Sequence, residues 1–124
     1  GHAYTVWWVY FDDPSQCVDG GPGICGMADF GGDDPLGVFG RMDSAVARGN
    51  GRANFWGRMR DFEPSSGSQV WLLVFGHGEA DWDDRKHLAR QLLTPEDPLA
   101  GAPHLGIVGQ PYGFPAAVNV FVVE

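Results

Sequence analysis

The sequence predicts an all-β domain, an antiparallel β-sandwich or a small β-barrel with one short helix, that occupies residues 1–124 as a single domain. Glycine and proline supply 19 and 9 of the 124 residues, a density that disfavours long helices and suits short strands joined by turns. Two runs, 3–11 and 69–76, are apolar almost throughout, which is typical of strands buried on both faces. Two such strands are more than one exposed sheet needs, so they favour two packed sheets or a closed barrel.

The first half of the chain is predicted to contain three strands. Residues 3–11 form the first, because they are nearly all β-branched or aromatic, and Pro14 ends it because proline cannot donate to the ladder. Residues 36–48 fit either a helical face or a strand, and the Asn50-Gly51 turn that follows favours a strand entering a hairpin. Residues 52–62 alternate in part and are predicted to be the returning strand of that hairpin.

The second half is predicted to contain a buried strand, the helix and a closing strand. After the strand 69–76, residues 81–93 carry apolar side chains at helical spacing, with Asp81 or Asp83 as the N-cap. Residues 94–115 form a proline- and glycine-rich loop with a short strand at 105–108. Residues 116–124 alternate and are expected to close the sheet.

The long loop 12–35 contains both cysteines, Cys17 and Cys25, which we predict to form a disulfide. A pair this close in a turn-rich segment readily meets the distance limits of a disulfide, and its short loop would add about 2–3 kcal/mol of stability. Disulfides persist in exporting compartments, so a secreted or periplasmic location is expected. The chain opens directly on strand-like sequence, which we interpret as a mature protein after signal removal.

The net charge and the length of the apolar runs limit the kinds of partner that the protein can bind. A net charge of −8 repels nucleic acid and anionic lipid surfaces, so neither is expected as a partner. No stretch approaches the roughly 20 apolar residues that span a bilayer. A second copy of the chain, a small apolar molecule and a carbohydrate stay open as partners.

Several segments resemble a known family. The sequence resembles a family of uncharacterised exported bacterial proteins in four segments, which follow one another in the same order as in that family. The segments are Tyr4-Thr5-Val6-Trp7-Trp8-Val9 with Phe11, Pro14, Cys17 and Cys25-Gly26; Val74-Phe75-Gly76-His77-Gly78; Gln91-Leu92-Leu93-Thr94; and Ala117-Val118-Asn119-Val120. The hairpin 48–62 and the strand ending in His-Gly are also similar to the chordin-type (CHRD) domain. That similarity implies a sandwich akin to the copper/zinc superoxide dismutase fold. Trp71 stands where the family tends to carry the first of two histidines.

The histidines are the candidates for chemistry. His77 follows a buried strand between two glycines, and with Glu79 or Asp81 it would form an acid–base pair, since a carboxylate fixes the imidazole tautomer. His77, His87 and His104 together are the candidate ligands for copper or zinc. Six aspartates in the loop 12–35 offer the oxygen ligands that calcium prefers, without an EF-hand pattern. A protein without any of these metals is the favoured interpretation.

Aromatic side chains are the candidates for ligand binding. Trp7 and Trp8 are neighbours in a strand and must face opposite sides of the sheet, so one of them is free to line a pocket or a sugar-stacking surface. Trp56 and Tyr112 complete the set of candidate ligand-binding residues.

Three functions fit these observations. The favoured one is an exported, non-catalytic binding or self-assembly domain, because no serine lies in a GxSxG motif and no catalytic set is evident. The second is a small-barrel isomerase or cyclase with an aromatic pocket and His77 as the acid–base group. The third is a copper or zinc protein that uses His77.

Overall fold

A computed structural model describes residues 1–26, 28–31, 34–58, 63–93 and 117–124. Strands dominate these ranges, which confirms the all-β class. The strands are β1 (His2–Phe11), β2 (Gly37–Val46), β3 (Gln69–Glu79) and β4 (Ala117–Val122). The helices are α1 (Ala28–Gly31), α2 (Arg85–Leu93) and a 3-10 turn at Pro14–Gln16. Within the same ranges, no helix is long and apolar enough to cross a membrane.

The strands form one antiparallel sheet in the order β2-β1-β3-β4. β1 and β3 are the central strands, as their apolar sequences predict, whereas β2 and β4 lie at the two edges. Every strand in the described part of the chain belongs to this one sheet, although the sequence favoured two sheets or a barrel. In the part of the chain that the structure describes, the disulfide and Phe30 of α1, instead of a second set of strands, pack on the face of the sheet that carries the buried aromatic side chains.

The core lies between this face of the sheet and the disulfide loop. Alternate residues of β1 and β3 point into it, as the two-residue period of a strand requires. Phe11 packs against Trp71 with ring centroids 5.2 Å apart, and Phe30 of α1 contacts both rings. Each such side chain contributes about 1.5–3 kcal/mol on burial. The buried cluster consists of Trp7, Val9, Phe11, Cys17, Cys25, Trp71, Leu73 and Phe75.

The second strand of the predicted hairpin is absent from 52–58, where the prediction was wrong. The turn itself forms: Gly51 has a φ of +76°, and the Arg48 N–H donates to the Arg52 carbonyl over 2.9 Å. Beyond the turn, the backbone is held to β2 by a side chain, because Trp56 N–H donates to the Asp43 carboxylate at 2.6 Å. A register shift between Val6 and Trp7 bulges β2 at this point, which interrupts the regular pairing that a third strand would need. Residues 59–62 lie outside the described ranges.

The helix begins later than the sequence predicted. Both predicted N-caps, Asp81 and Asp83, were wrong: the Asp84 carboxylate accepts the N–H groups of Lys86 and His87 at 2.9 and 3.2 Å. Asp81 instead accepts the N–H groups of Asp83 and Asp84, so that residues 81–84 form a turn before the first helical residue. The predicted strand at 105–108 lies outside the described residues.

Candidate functional site

His77 lies inside the core. It is 1% exposed, and its Nε2 is 2.7 Å from the hydroxyl oxygen of Thr5 in the neighbouring strand. The indole N–H of Trp7 donates to the same oxygen over 3.0 Å. Buried polar groups need such partners, since an unsatisfied one costs about 1–3 kcal/mol. These bonds join β3 to β1, and the imidazole is shielded from solvent. The sequence analysis had instead predicted a functional position for His77 at the end of a strand.

Gln91 connects α2 to the end of β3, a role that sequence analysis missed. Its side chain is 1% exposed, and its amide nitrogen donates to the carbonyls of His77 and Glu79, both at 2.9 Å. Its amide oxygen accepts the N–H of Asp81 over 3.1 Å. One side chain thus satisfies three backbone groups where β3 ends. A lone amide beside Leu88 and Leu92 was the available signal, because a polar residue on an apolar helical face needs buried partners.

Asp81 pairs with His87. Oδ2 of Asp81 and Nδ1 of His87 lie 2.8 Å apart, and both side chains are about one-third exposed. The hydrogen bond from His87 and then the N–H of Asp84 lower the pKa of the Asp81 carboxyl, while desolvation opposes them; the N–H of Asp83 and the charge of His87 lower it further. An ionised carboxylate only accepts, so the imidazole donates from Nδ1.

The other candidate residues are dispersed. Glu79 is exposed, Trp7 is buried in the core at 1% exposure, and Trp8 lies half-buried on the opposite face of the sheet. Trp56 is 81% exposed in the segment beside β2. The structure therefore brings together Asp81 and His87 from this group. Tyr112 and His104 lie outside the described residues.

The residues of the disulfide loop serve the loop itself. Cys17 and Cys25 form the predicted disulfide and are both buried. Asp29 accepts three backbone N–H groups, those of Val18, Asp19 and Gly26, at 3.1, 3.2 and 2.7 Å. Burial acts to raise the pKa of the Asp29 carboxyl, but these donors outweigh it and the pKa lies below its ordinary value. The Asp29 oxygens are thus directed at the backbone of the loop.

No group of three or more His, Cys, Asp or Glu side chains in the described ranges is placed to hold a metal ion. His77 is bonded to Thr5, and the Nδ1 of His87 is bonded to Asp81. The predicted site that combines these two histidines with His104 extends outside the described residues and stays a prediction.

The edge strand β4 combines exposure with apolar character. It pairs with β3 from Val74↔Ala117 to Gln69↔Val122, and no other strand of the described residues lies beside it. Its segment AVNVFV has no charged side chain. Four of its large apolar residues are between 45% and 63% exposed: Val118, Val120, Phe121 and Val122. Exposed apolar edges are uncommon in natural sheets because they recruit other strands.

The ladder with β3 determines which backbone groups of β4 face outward. Val123, directly after β4, donates its N–H to the Ser68 carbonyl at 2.9 Å and accepts from the Gly67 N–H at 2.8 Å. Residues of an antiparallel strand alternate between bonding one neighbour and facing the other side. The N–H and C=O groups of Val118, Val120 and Val122 therefore point away from β3.

Comparison of the chain with protein-family models, curated proteins and solved structures finds no match. The resemblance to exported bacterial proteins and to the chordin-type domain stays a prediction.

Proposed function

We propose that this protein is an exported, non-catalytic binding domain that recognises an extended polypeptide by adding it as a strand at β4. The observation that carries the proposal is an uncharged edge strand whose outward backbone groups belong to three exposed valines. Strand addition is a general mode of peptide recognition, in which the main chain supplies affinity and the side-chain positions supply specificity.

Both kinds of interaction favour a partner at this edge. Each backbone hydrogen bond that a partner strand forms contributes about 0.5–1.5 kcal/mol net. Val118, Val120 and Val122 share one face of β4, so a partner with apolar residues at alternate positions would cover all three valines. Phe121 on the other face adds a large aromatic surface that is 52% exposed.

The contacts of His77 and Asp81, two of the candidate catalytic residues, support a non-catalytic function. The buried His77 and Gln91 join β1, β3 and α2, and both act through bonds that stabilise the fold. The Asp81–His87 pair holds the turn in front of α2. The Cys17–Cys25 disulfide supports export, because such bonds persist in oxidising compartments.

Titration with a defined peptide tests the proposal. The probe is a short peptide of alternating valine and threonine with lysine at both ends, which complements the net charge of −8. We expect amide chemical-shift changes concentrated in β4. Val120→Pro should abolish them, because proline removes an outward donor and leaves the donors to β3 in place. Val46→Pro, at the opposite edge, is the matched control, because the N–H of Val46 also points away from the neighbouring strand. Shifts that map elsewhere, or that survive Val120→Pro, would contradict the proposal.

A further inference from the structure

We infer that the strand received by β4 is β4 of a second copy, so that two four-stranded sheets join into one continuous sheet across a twofold axis. The inference rests on the proposed function and names the partner for the same edge. It follows from three properties of β4 that a self-pairing strand needs: a matching register, a matching face and the absence of charge.

The outward backbone groups restrict the register, and we infer the register in which all three outward valines are paired. In an antiparallel pair, residues opposite each other lie on the same face and exchange their hydrogen bonds in pairs. Placing Val120 opposite the partner's Val120 sets Val118 opposite the partner's Val122, and Val122 opposite the partner's Val118. All three outward-facing residues then meet outward-facing residues. A shift by one residue sets outward groups against inward ones and removes these bonds.

The same register matches the side chains. The valines at 118, 120 and 122 of both copies form one uninterrupted row on the face that also carries the core. On the opposite face, Asn119 lies beside the partner's Phe121. Register is strongly specified when such a pattern coincides with the hydrogen bonds, because a one-residue slip would turn every valine to the other face.

Charge affects the strength of the association and leaves the geometry unchanged. β4 has no charged side chain that would oppose the same strand in a second copy. Each copy nevertheless has a net charge of −8, so the two bodies repel each other over distances that salt screens. The dimer should therefore become tighter as ionic strength rises, which is the reverse of the salt dependence of a basic domain on nucleic acid.

Cysteine cross-linking tests the register directly. In the inferred dimer, the Cα atoms of the two Val120 residues lie about 5.5 Å apart, within the range of a disulfide. The two Val118 residues lie four positions apart along the strands, about 13 Å, which is beyond that range. Under mild oxidation Val120→Cys should form a covalent dimer at least about tenfold faster than Val118→Cys, its matched control on the same face. Equal rates would overturn the inferred register.

Sedimentation of the full chain tests the dimer without cross-linking. The wild type should sediment as a dimer and Val120→Lys as a monomer, because two lysines would lie directly opposite each other. Val38→Lys, an equally exposed change in β2, should leave the dimer intact; far-UV circular dichroism checks the fold of each variant. A wild type that stays monomeric at high concentration and high salt overturns the inference.

The peptide titration separates this failure from that of the proposed function. A monomeric wild type that still binds the valine–threonine peptide at β4 overturns self-pairing and leaves the proposed function standing. A monomeric wild type that does not bind it overturns both. A dimer from which the peptide displaces one copy supports both.

Discussion

The two edges of the sheet differ although both carry exposed apolar side chains. At β2, Val38 and Phe39 are 56% and 43% exposed, which resembles the exposure of the valines in β4. β2 also contains Arg41 and Asp43, a bulge opposite Val6 and Trp7, and a following segment bound to it through Asp43. Charged residues, bulges and covering segments are the features that protect natural sheet edges from further pairing.

β4 has none of these features among the described residues. Its pairing with β3 is regular from end to end, and its sequence is free of charge. Exposed apolar area alone therefore does not identify a binding edge. What distinguishes β4 is an unbroken register whose outward backbone groups pair with no other strand of the described residues.

Loss of the disulfide should have the largest effect and should act on the β2 side. Replacing Cys17 and Cys25 by alanine should lower the free energy of unfolding by about 3 kcal/mol, since the bridge closes a loop packed in the core. This corresponds to a fall in melting temperature of about 10 °C. Phe30 lies in α1, shortly after Cys25, and packs on Phe39 of β2 with ring centroids 6.3 Å apart. Hydrogen exchange should therefore accelerate more in β2 than in β4, and equal acceleration in both would count against the distinction.

Opening the β2 edge should create a second site of association. Asp43→Ala removes the carboxylate that holds the Trp56 N–H, at a cost of about 1 kcal/mol. In a Val120→Lys background, which is expected to be monomeric, this change should restore concentration-dependent association, because β2 then loses both a charge and its covering segment. Asp34→Ala, an exposed aspartate outside the sheet, is the charge-matched control. Sedimentation of a strictly monomeric double variant would show that Asp43 does not protect this edge.

The smallest effect is expected at the Asp81–His87 pair, which lies at neither edge. The lowered pKa of Asp81 means that its contribution to stability is present above the unfolded pKa of about 3.9 and is lost as pH falls through the lower folded pKa. Asp81→Asn should lower the melting temperature by a few degrees at neutral pH, and this difference should vanish in acid. Thermal melts across pH measure it. A difference in melting temperature that grows on acidification would contradict the stabilising role of the ionised Asp81 carboxylate. A change in dimer formation would show that the Asp81–His87 pair affects β4.

The sequence predicted the parts of this molecule that depend on local pattern. The apolar runs identified β1 and β3 as central strands, and the close cysteine pair identified the disulfide. The segment 52–58 was mispredicted because its partial alternation gave no sign of the bulge in β2, which depends on pairing with β1.

The contacts of His77 and the open edge at β4 could not be predicted from local sequence pattern. Thr5 and His77 bond across 72 positions of the chain, so no spacing rule could have joined them. Residues 116–124 were predicted as the closing strand, but the position of β4 at the edge depends on the strand order. The outward direction of the backbone groups of Val118, Val120 and Val122 follows from the bond between Val123 and Ser68. Both are properties of the assembled sheet.

Amide hydrogen exchange of the wild type, measured residue by residue at low and high protein concentration, shows whether β4 pairs with β4 of a second copy. The N–H groups of Asn119 and Phe121 face β3 and should be protected at both concentrations. Those of Val118, Val120 and Val122 should exchange rapidly in dilute protein and become protected as concentration rises. Exchange at these three valines that is independent of concentration would contradict strand pairing between two copies at β4.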